Sequence, residues 1–314
     1  MLNRRDFGAV LAAGIAAPAV ARIAPAAPRG GGFVFSYFHN ADDGSAGMRL
    51  AISDDGWHFR PVRGGAPILV PQVGENKLMR DPSIARDPLT GLYHMVWTTG
   101  WTGVTIGHAS SRDLVHWSAQ QAVPVMAAFP GTRNTWAPEL VWDDAARRFL
   151  IVWASTVGEA GTEGDHRLYA TTTRDFRNFS PTTKFFDPGF SVIDATFLKH
   201  DGRTIMFFKD ERKQPLRKVI QWCEATLSPT PRFGPLSAPI TPAWSEGPTA
   251  IAVDGEMLVF FDRYTDKRWG AVASRDGRSW RDVSGRIAVP AGANHGTMIS
   301  ADRALLDALA ALPM

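Results

Sequence analysis

The feature that most constrains this chain is a short pattern that keeps returning. Ser53-Asp54-Asp55-Gly56-Trp57, Ser111-Arg112-Asp113-Leu114-Val115-His116-Trp117, Thr173-Arg174-Asp175-Phe176-Arg177-Asn178-Phe179 and Ser274-Arg275-Asp276-Gly277-Arg278-Ser279-Trp280 share one plan. An apolar run ends in Ser or Thr, a turn containing Asp follows, and an aromatic residue opens the next run. The stretch from Thr226-Leu227-Ser228-Pro229 to Phe233 is a degenerate copy. The copies lie roughly 50 to 60 residues apart, a period that signals a blade of about four strands. Between them, Leu92-Tyr93-His94-Met95-Val96-Trp97, Phe149-Leu150-Ile151-Val152-Trp153 and Met257-Leu258-Val259-Phe260-Phe261 have the alternation and the aromatic and β-branched content of strands. Five copies predict an all-β fold, a five-bladed β-propeller over residues 32–314. The one amphipathic stretch, 301–312, predicts a short terminal helix.

The innermost strands of such a ring begin near Asp81, Trp136, Ile193, Gly247 and His295. The fifth comes from the C-terminus, Asn294-His295-Gly296-Thr297-Met298-Ile299, and is expected to sit inside strands 33–38, 48–53 and 57–62. That arrangement closes the ring and leaves no edge unpaired. A two-sheet sandwich predicts less regular spacing. Four strand openings carry an acid: Arg80-Asp81-Pro82-Ser83, Trp136-Ala137-Pro138-Glu139, Ile193-Asp194-Ala195-Thr196 and Ser245-Glu246-Gly247-Pro248. Proline holds the residue before it extended, which fixes the Asp81 carboxylate at a strand mouth. The expectation is that all four acids stand at equivalent places around one pocket, with His295 near its floor. Crowded carboxylates cannot all ionise, so one retains a proton. A protonated acid beside an ionised base is what glycosidic bond cleavage requires.

The ordered set RDPSI, WAPEL, IDATF, SEGPTAI and NHGTM resembles glycoside hydrolase family 43 across essentially the whole mature chain. The resemblance implies an inverting mechanism with Asp81 as general base, Glu246 as general acid and Asp194 tuning the acid. It implies no required cofactor. It places His295 near the axis, where some members hold a calcium or sodium ion through water. The family's second motif usually reads WAPD, so Glu139 is a departure and a candidate substrate contact. Trp136 and Trp101 are candidates to stack on a sugar face, and Lys209 and Arg263, at strand ends, to point into the pocket. The sugars such enzymes act on include α-L-arabinofuranosides, β-xylosides and galactans. Short loops favour exo action by a monomer on an oligosaccharide or polysaccharide.

Composition removes competing classes. The net charge of +3 on 314 residues is scattered, which excludes a nucleic-acid footprint. The single cysteine, Cys223, excludes an intrachain disulfide and a multi-cysteine metal site. No P-loop, Rossmann or zinc motif is present. The rival functions are a propeller that binds a glycan without cutting it and a retaining fructan-type hydrolase. The second expects Asn-Asp-Pro-Asn and Glu-Cys motifs, where this chain has Met79-Arg80-Asp81-Pro82 and Glu246-Gly247. At the N-terminus, Arg4-Arg5-Asp6-Phe7, the uncharged Ala-rich residues 8–20 and Ala19-Val20-Ala21 form a twin-arginine-type export signal. That segment is too short for a stable membrane span. Residues 1–31 are thus signal peptide and lead-in, and the expected destination is periplasmic or extracellular.

Overall fold

The computed structural model describes residues 30–158 and 164–314, so the expected export signal lies outside the described residues. Five antiparallel sheets form a five-bladed β-propeller. The first blade holds Arg80–Arg86, Tyr93–Thr98, Ile106–Ser111 and Gln121–Val123. The second holds Trp136–Asp143, Arg148–Ser155, Arg167–Thr173 and Thr183–Phe186. The third holds Val192–His200, Arg203–Asp210, Val219–Thr226 and Arg232–Phe233. The fourth holds Glu246–Val253, Glu256–Arg263, Arg268–Ser274 and Arg281–Asp282. In the fifth, Gly32–His39 pairs with Arg49–Ser53 on one side and with C-terminal strands Ala293–Asn294 and Met298–Ala301 on the other. The two chain ends therefore close the ring, as the order of the motifs predicts.

One apolar cluster fills each gap between neighbouring blades. Val96, Leu140, Ile151 and Trp153 join the first and second blades, and Val152, Ala195, Met206 and Phe208 join the second and third. Ile205, Phe207, Met257 and Val259 lie between the third and fourth, and Phe35, Tyr37, Leu258 and Phe260 between the fourth and fifth. Val34, Leu50, Ile84 and Trp97 close the circle, and helix Arg303–Ala310 adds Leu306 and Leu309 to that last cluster. Strand residues thus bury both faces of a blade, which is why the strands read as apolar runs.

The recurring Ser/Thr-x-Asp turn has a direct physical cause. The hydroxyls of Ser53, Ser111, Thr173 and Ser274 accept the backbone N–H three residues on, at 2.9 Å in every copy. The Asp two residues later accepts two further N–H groups, as Asp175 does from Arg177 and Asn178. Those backbone bonds pull Asp175 down to about 2. Each copy is an Asx-type turn that reverses the chain at the end of a blade remote from the mouth.

At the mouth end, the opening tetrapeptides share a bulge. The pairing register slips between Arg80 and Ser83, Trp136 and Glu139, Ile193 and Thr196, and Glu246 and Thr249. The second residue of each tetrapeptide is left-handed: Asp81 (φ 51), Ala137 (φ 47), Asp194 (φ 56) and Gly247 (φ 54). In the fifth blade, Phe38 pairs with Asn294 and Phe35 with Met298, which puts His295 at the same second position. The fourth residue carries a polar group that ties blade to blade. Ser83 accepts the N–H of Leu140 at 3.0 Å, and Thr249 accepts that of Met298 at 2.9 Å. Thr249→Ala would orphan a buried N–H at the closure, so stability in urea should fall by about 1–3 kcal/mol. An unchanged unfolding midpoint would show that this staple does not hold the ring shut.

Candidate active site

The bulge turns the second-position side chains toward the axis. Of these five residues Asp81, Asp194 and His295 are ionisable. Asp81 accepts the Thr98 hydroxyl at 2.8 Å and faces His295 Nδ1 at 3.3 Å. Asp194 accepts the N–H of Gly247 at 3.0 Å, which ties the third inner strand to the fourth. Glu246 sits one residue earlier in its tetrapeptide and is gripped by Lys209 Nζ at 2.8 Å. His295 packs on Gly247 so closely that a Cβ there would lie 2.6 Å from its ring.

Burial and neighbouring charges set these groups apart. Burial opposes the charge on Asp81, but the His295 hydrogen bond and charge, with Arg80 and Thr98, hold it below the usual carboxylate range. Burial also opposes charge on His295. Asp194, Asp81 and Glu246 overcome that and push it up to about 9, so the ring is an imidazolium at neutral pH. Glu246 is raised by burial and by Asp194, against the pull of Lys209. Asp194 is raised by burial, against His295 and Lys209. The Asp194–Glu246 pair therefore keeps a shared proton to higher pH than either carboxyl would alone. The Lys209 ammonium, 2% exposed, is held charged by Glu246, Glu211 and Asp194.

Several placements differ from the sequence expectation. The four acids do not occupy equivalent positions: Asp81 and Asp194 are second in their tetrapeptides, Glu246 first and Glu139 fourth. Glu139 is consequently off the pocket wall. Its buried carboxylate accepts the hydroxyls of Thr196 at 2.6 Å and Thr297 at 3.3 Å, binding the second blade to the third and fifth. His295 is not on a floor beneath the acids, because it fills the same ring position as Asp81. Arg263 pairs with Asp266 of its own hairpin at 2.6 Å instead of reaching the acids. Trp101 and Trp136 do meet at the rim, their rings edge to face at 5.9 Å, with Trp101 48% exposed. Lys209 joins the acids directly.

His295 Nδ1 faces the Asp81 carboxylate at 3.3 Å, so that nitrogen is not offered as a direct ligand to a cation. Among the described residues no three His, Cys, Asp or Glu groups converge as a ligand set.

Asp262 escaped the sequence reading. It is the cross-strand partner of Glu246, 3% exposed and bonded to Asn294 at 2.8 Å. Burial, with Glu246 beside it, raises Asp262 to about 6. The available signal was its place at the end of a second strand, where Lys209 also stands opposite Ile193. Arg80 lies between the rings of Phe38 and Trp101 at 4.5 and 4.2 Å and pairs with Asp43. It braces the rim directly before Asp81.

A family model for a glycoside hydrolase 43-related group, described as "Probable glycosyl hydrolase domain", matches residues 30–307. The chain belongs to this family. An α-L-arabinofuranosidase of Bifidobacterium longum subsp. longum is 23% identical over 210 residues, which span 58% of this chain and 20% of that protein. The α-L-arabinofuranosidase of Lactobacillus brevis shares the fold with a TM-score of 0.52 at 16% identity, covering 66% of this chain and 72% of that one. An endo-arabinase from Bacteroides thetaiotaomicron shares the fold with a TM-score of 0.52 at 16% identity, covering 69% of this chain and 84% of that one. No helix among the described residues is long and apolar enough to cross a membrane.

The charges facing Glu246 make opposite predictions for two variants of a family-43-type site. In the general-acid role that the motif resemblance implies for it, Glu246 must be protonated, so activity would fall as pH rises through its pKa. Asp194→Asn removes a like charge, lowers that pKa and should move the basic limb of the pH–rate profile to lower pH. Lys209→Met removes a cation and should move it to higher pH. Shifts in the same direction for both would refute this electrostatic account.

Proposed function

We propose that this protein is an exported, inverting exo-glycosidase that releases terminal α-L-arabinofuranosyl residues. The observation that carries the reading is the division of charge in one pocket. Asp81, bonded to His295 and Thr98, is held below the usual carboxylate range, while burial raises Asp194 and Glu246 above theirs. Environments that push two carboxyls apart are the mark of an acid–base pair.

In this mechanism Asp81 takes a proton from water, whose oxygen attacks the anomeric carbon. Glu246 gives its proton to the departing glycosidic oxygen as that bond breaks. The products are a free sugar of inverted configuration and an alcohol. Asp194 keeps the acid protonated, and the His295 imidazolium keeps Asp81 ionised and fixes its orientation. Trp101 and Trp136 offer a rim against which a sugar face can pack. The choice of sugar is supported by the two arabinofuranosidases and the arabinase among the similar proteins. Exo action is supported by short hairpins at the mouth, such as residues 99–105. Export is supported by the paired Arg4-Arg5 and the small-residue stretch after them.

Aryl arabinofuranosides with good and poor leaving groups test the assignment. Asp81→Ala should cost about 10²–10⁴-fold on both, because water must be activated in either case. Glu246→Ala should cost that much only with the poor leaving group, since dinitrophenolate scarcely needs a proton. Rescue of Asp81→Ala but not of Glu246→Ala would exchange the roles. If neither substitution alters turnover, the pocket binds glycan without cleaving it.

A further inference from the structure

The mouth of the propeller is electrically lopsided. Over Asp81, the hairpins at residues 40–48 and 99–105 carry two acids and no base, and both acids are paired with arginines of adjoining strands, Asp42 with Arg49 and Asp43 with Arg80. Over Glu246, residues 210–218 carry four bases and two acids, and residues 263–268 carry three bases and one acid. These two cationic segments flank the acid directly. The first follows Lys209, the partner of Glu246, and its Lys218 pairs with Glu211, which also binds Lys209. The Lys218 carbonyl accepts the N–H of Ser245, the residue before Glu246. The second segment continues the strand that carries Asp262, opposite Glu246.

Part of this charge is consumed locally. Arg212 pairs with buried Asp210, Lys218 with Glu211, and Arg263 with Asp266. Lys213, Arg217 and Lys267 are exposed and have no carboxylate partner among the described residues. Between the segments stands Trp244, left-handed at φ 65 and 41% exposed, although the next residue, Ser245, is fully buried. A tryptophan kept outward at a strained backbone position points to a contact surface. Tyr264 meets it edge to face at 6.1 Å, and Lys209 Nζ lies 4.8 Å over the Tyr264 ring.

We propose that the leaving-group side of the pocket receives an anionic glycan, whose carboxylate or sulfate groups lie between Lys213, Arg217 and Lys267 while Trp244 supports a sugar ring. The placement rests on Glu246 being the general acid, since the departing oxygen and the chain beyond it lie on that side. The substrate would then be a neutral terminal sugar borne on an acidic polymer. Charge at the rim steers such a chain inward and fixes which end enters first.

The test compares kcat/KM of the wild-type enzyme on a uronate-bearing glycan and on the same polymer after carboxyl reduction. The acidic form should be preferred about tenfold, the scale of three exposed ion pairs. That preference should shrink between about 0.01 and 0.15 M salt, as the screening length contracts from about 30 to about 8 Å. The triple variant K213E/R217E/K267E should abolish or reverse the preference, whereas K213R/R217K/K267R should keep it. A sulfated polymer run alongside distinguishes the two sources of negative charge by which is preferred. Equal kcat/KM on charged and reduced polymers, or a preference that survives the charge reversal, overturns the proposal while aryl glycoside turnover leaves the glycosidase reading standing. An enzyme inert on every glycoside overturns both.

Discussion

The site depends on one backbone constraint, the left-handed residue second in each inner-strand opening. Outside glycine that conformation costs on the order of 1–2 kcal/mol per residue, so it persists only where the surroundings enforce it. Here the enforcement is the bulge, which lets two residues of the inner strand oppose one of its neighbour and re-aims the side chain. Aspartate tolerates the region better than most residues, and glycine tolerates it best. The chain uses aspartate where a carboxylate is needed, at Asp81 and Asp194. It uses Gly247 where the His295 ring must pass. The same local geometry thus supplies two acids and the space for the cation between them.

That cation explains how so many carboxyls share a small volume. Asp81, Asp194, Glu246 and Asp262 are buried to different degrees, and burial alone would protonate them all. The His295 imidazolium and the Lys209 ammonium divide them. His295 bonds Asp81 and holds it ionised, while Lys209 contacts Glu246 and Glu211. Glu246 feels both Lys209 and Asp194, which oppose each other, and its burial decides the direction. The proton is held by a balance of named neighbours, and each neighbour is separately removable.

Much of the fold was legible because the repeat has a local cause. A hydroxyl and a carboxylate that bind specific N–H groups leave a sequence signature wherever the turn occurs, even though the blades share little else. The ring closure was legible for the same reason: five openings in order, with the last at the C-terminus. Asp81, Asp194, Glu246 and His295 come together as the motifs suggested, and Lys209 joins them from the end of a second strand that carries no motif. The error over equivalence came from reading four acids by type. A bulge shifts register by one residue, and only pairing with the next strand reveals which residue is first, second or fourth. Glu139 illustrates the consequence, since two positions along a strand separate the pocket from the hydroxyl layer below it. Asp262 was missed because its strand carries no motif, and its meaning comes from the residue across from it.

The hydroxyl layer also limits what the departure at Glu139 can do. A buried carboxylate is costly unless its oxygens are satisfied, and here each accepts a threonine hydroxyl from a different blade. Burial still raises Glu139 above its usual value, so those hydroxyls and the His295 charge only partly offset the loss of water. Thr196 and Thr297 occupy the fourth position of their own tetrapeptides, as Ser83 and Thr249 do. The second blade therefore contributes an acceptor to a layer the other blades fill with hydroxyls. One longer acid at that level reaches across the axis where a shorter one would stop near its own strand. The pocket above is consequently framed by strands tied to one another below it, and this layer supports the spacing of the acids at the mouth from beneath.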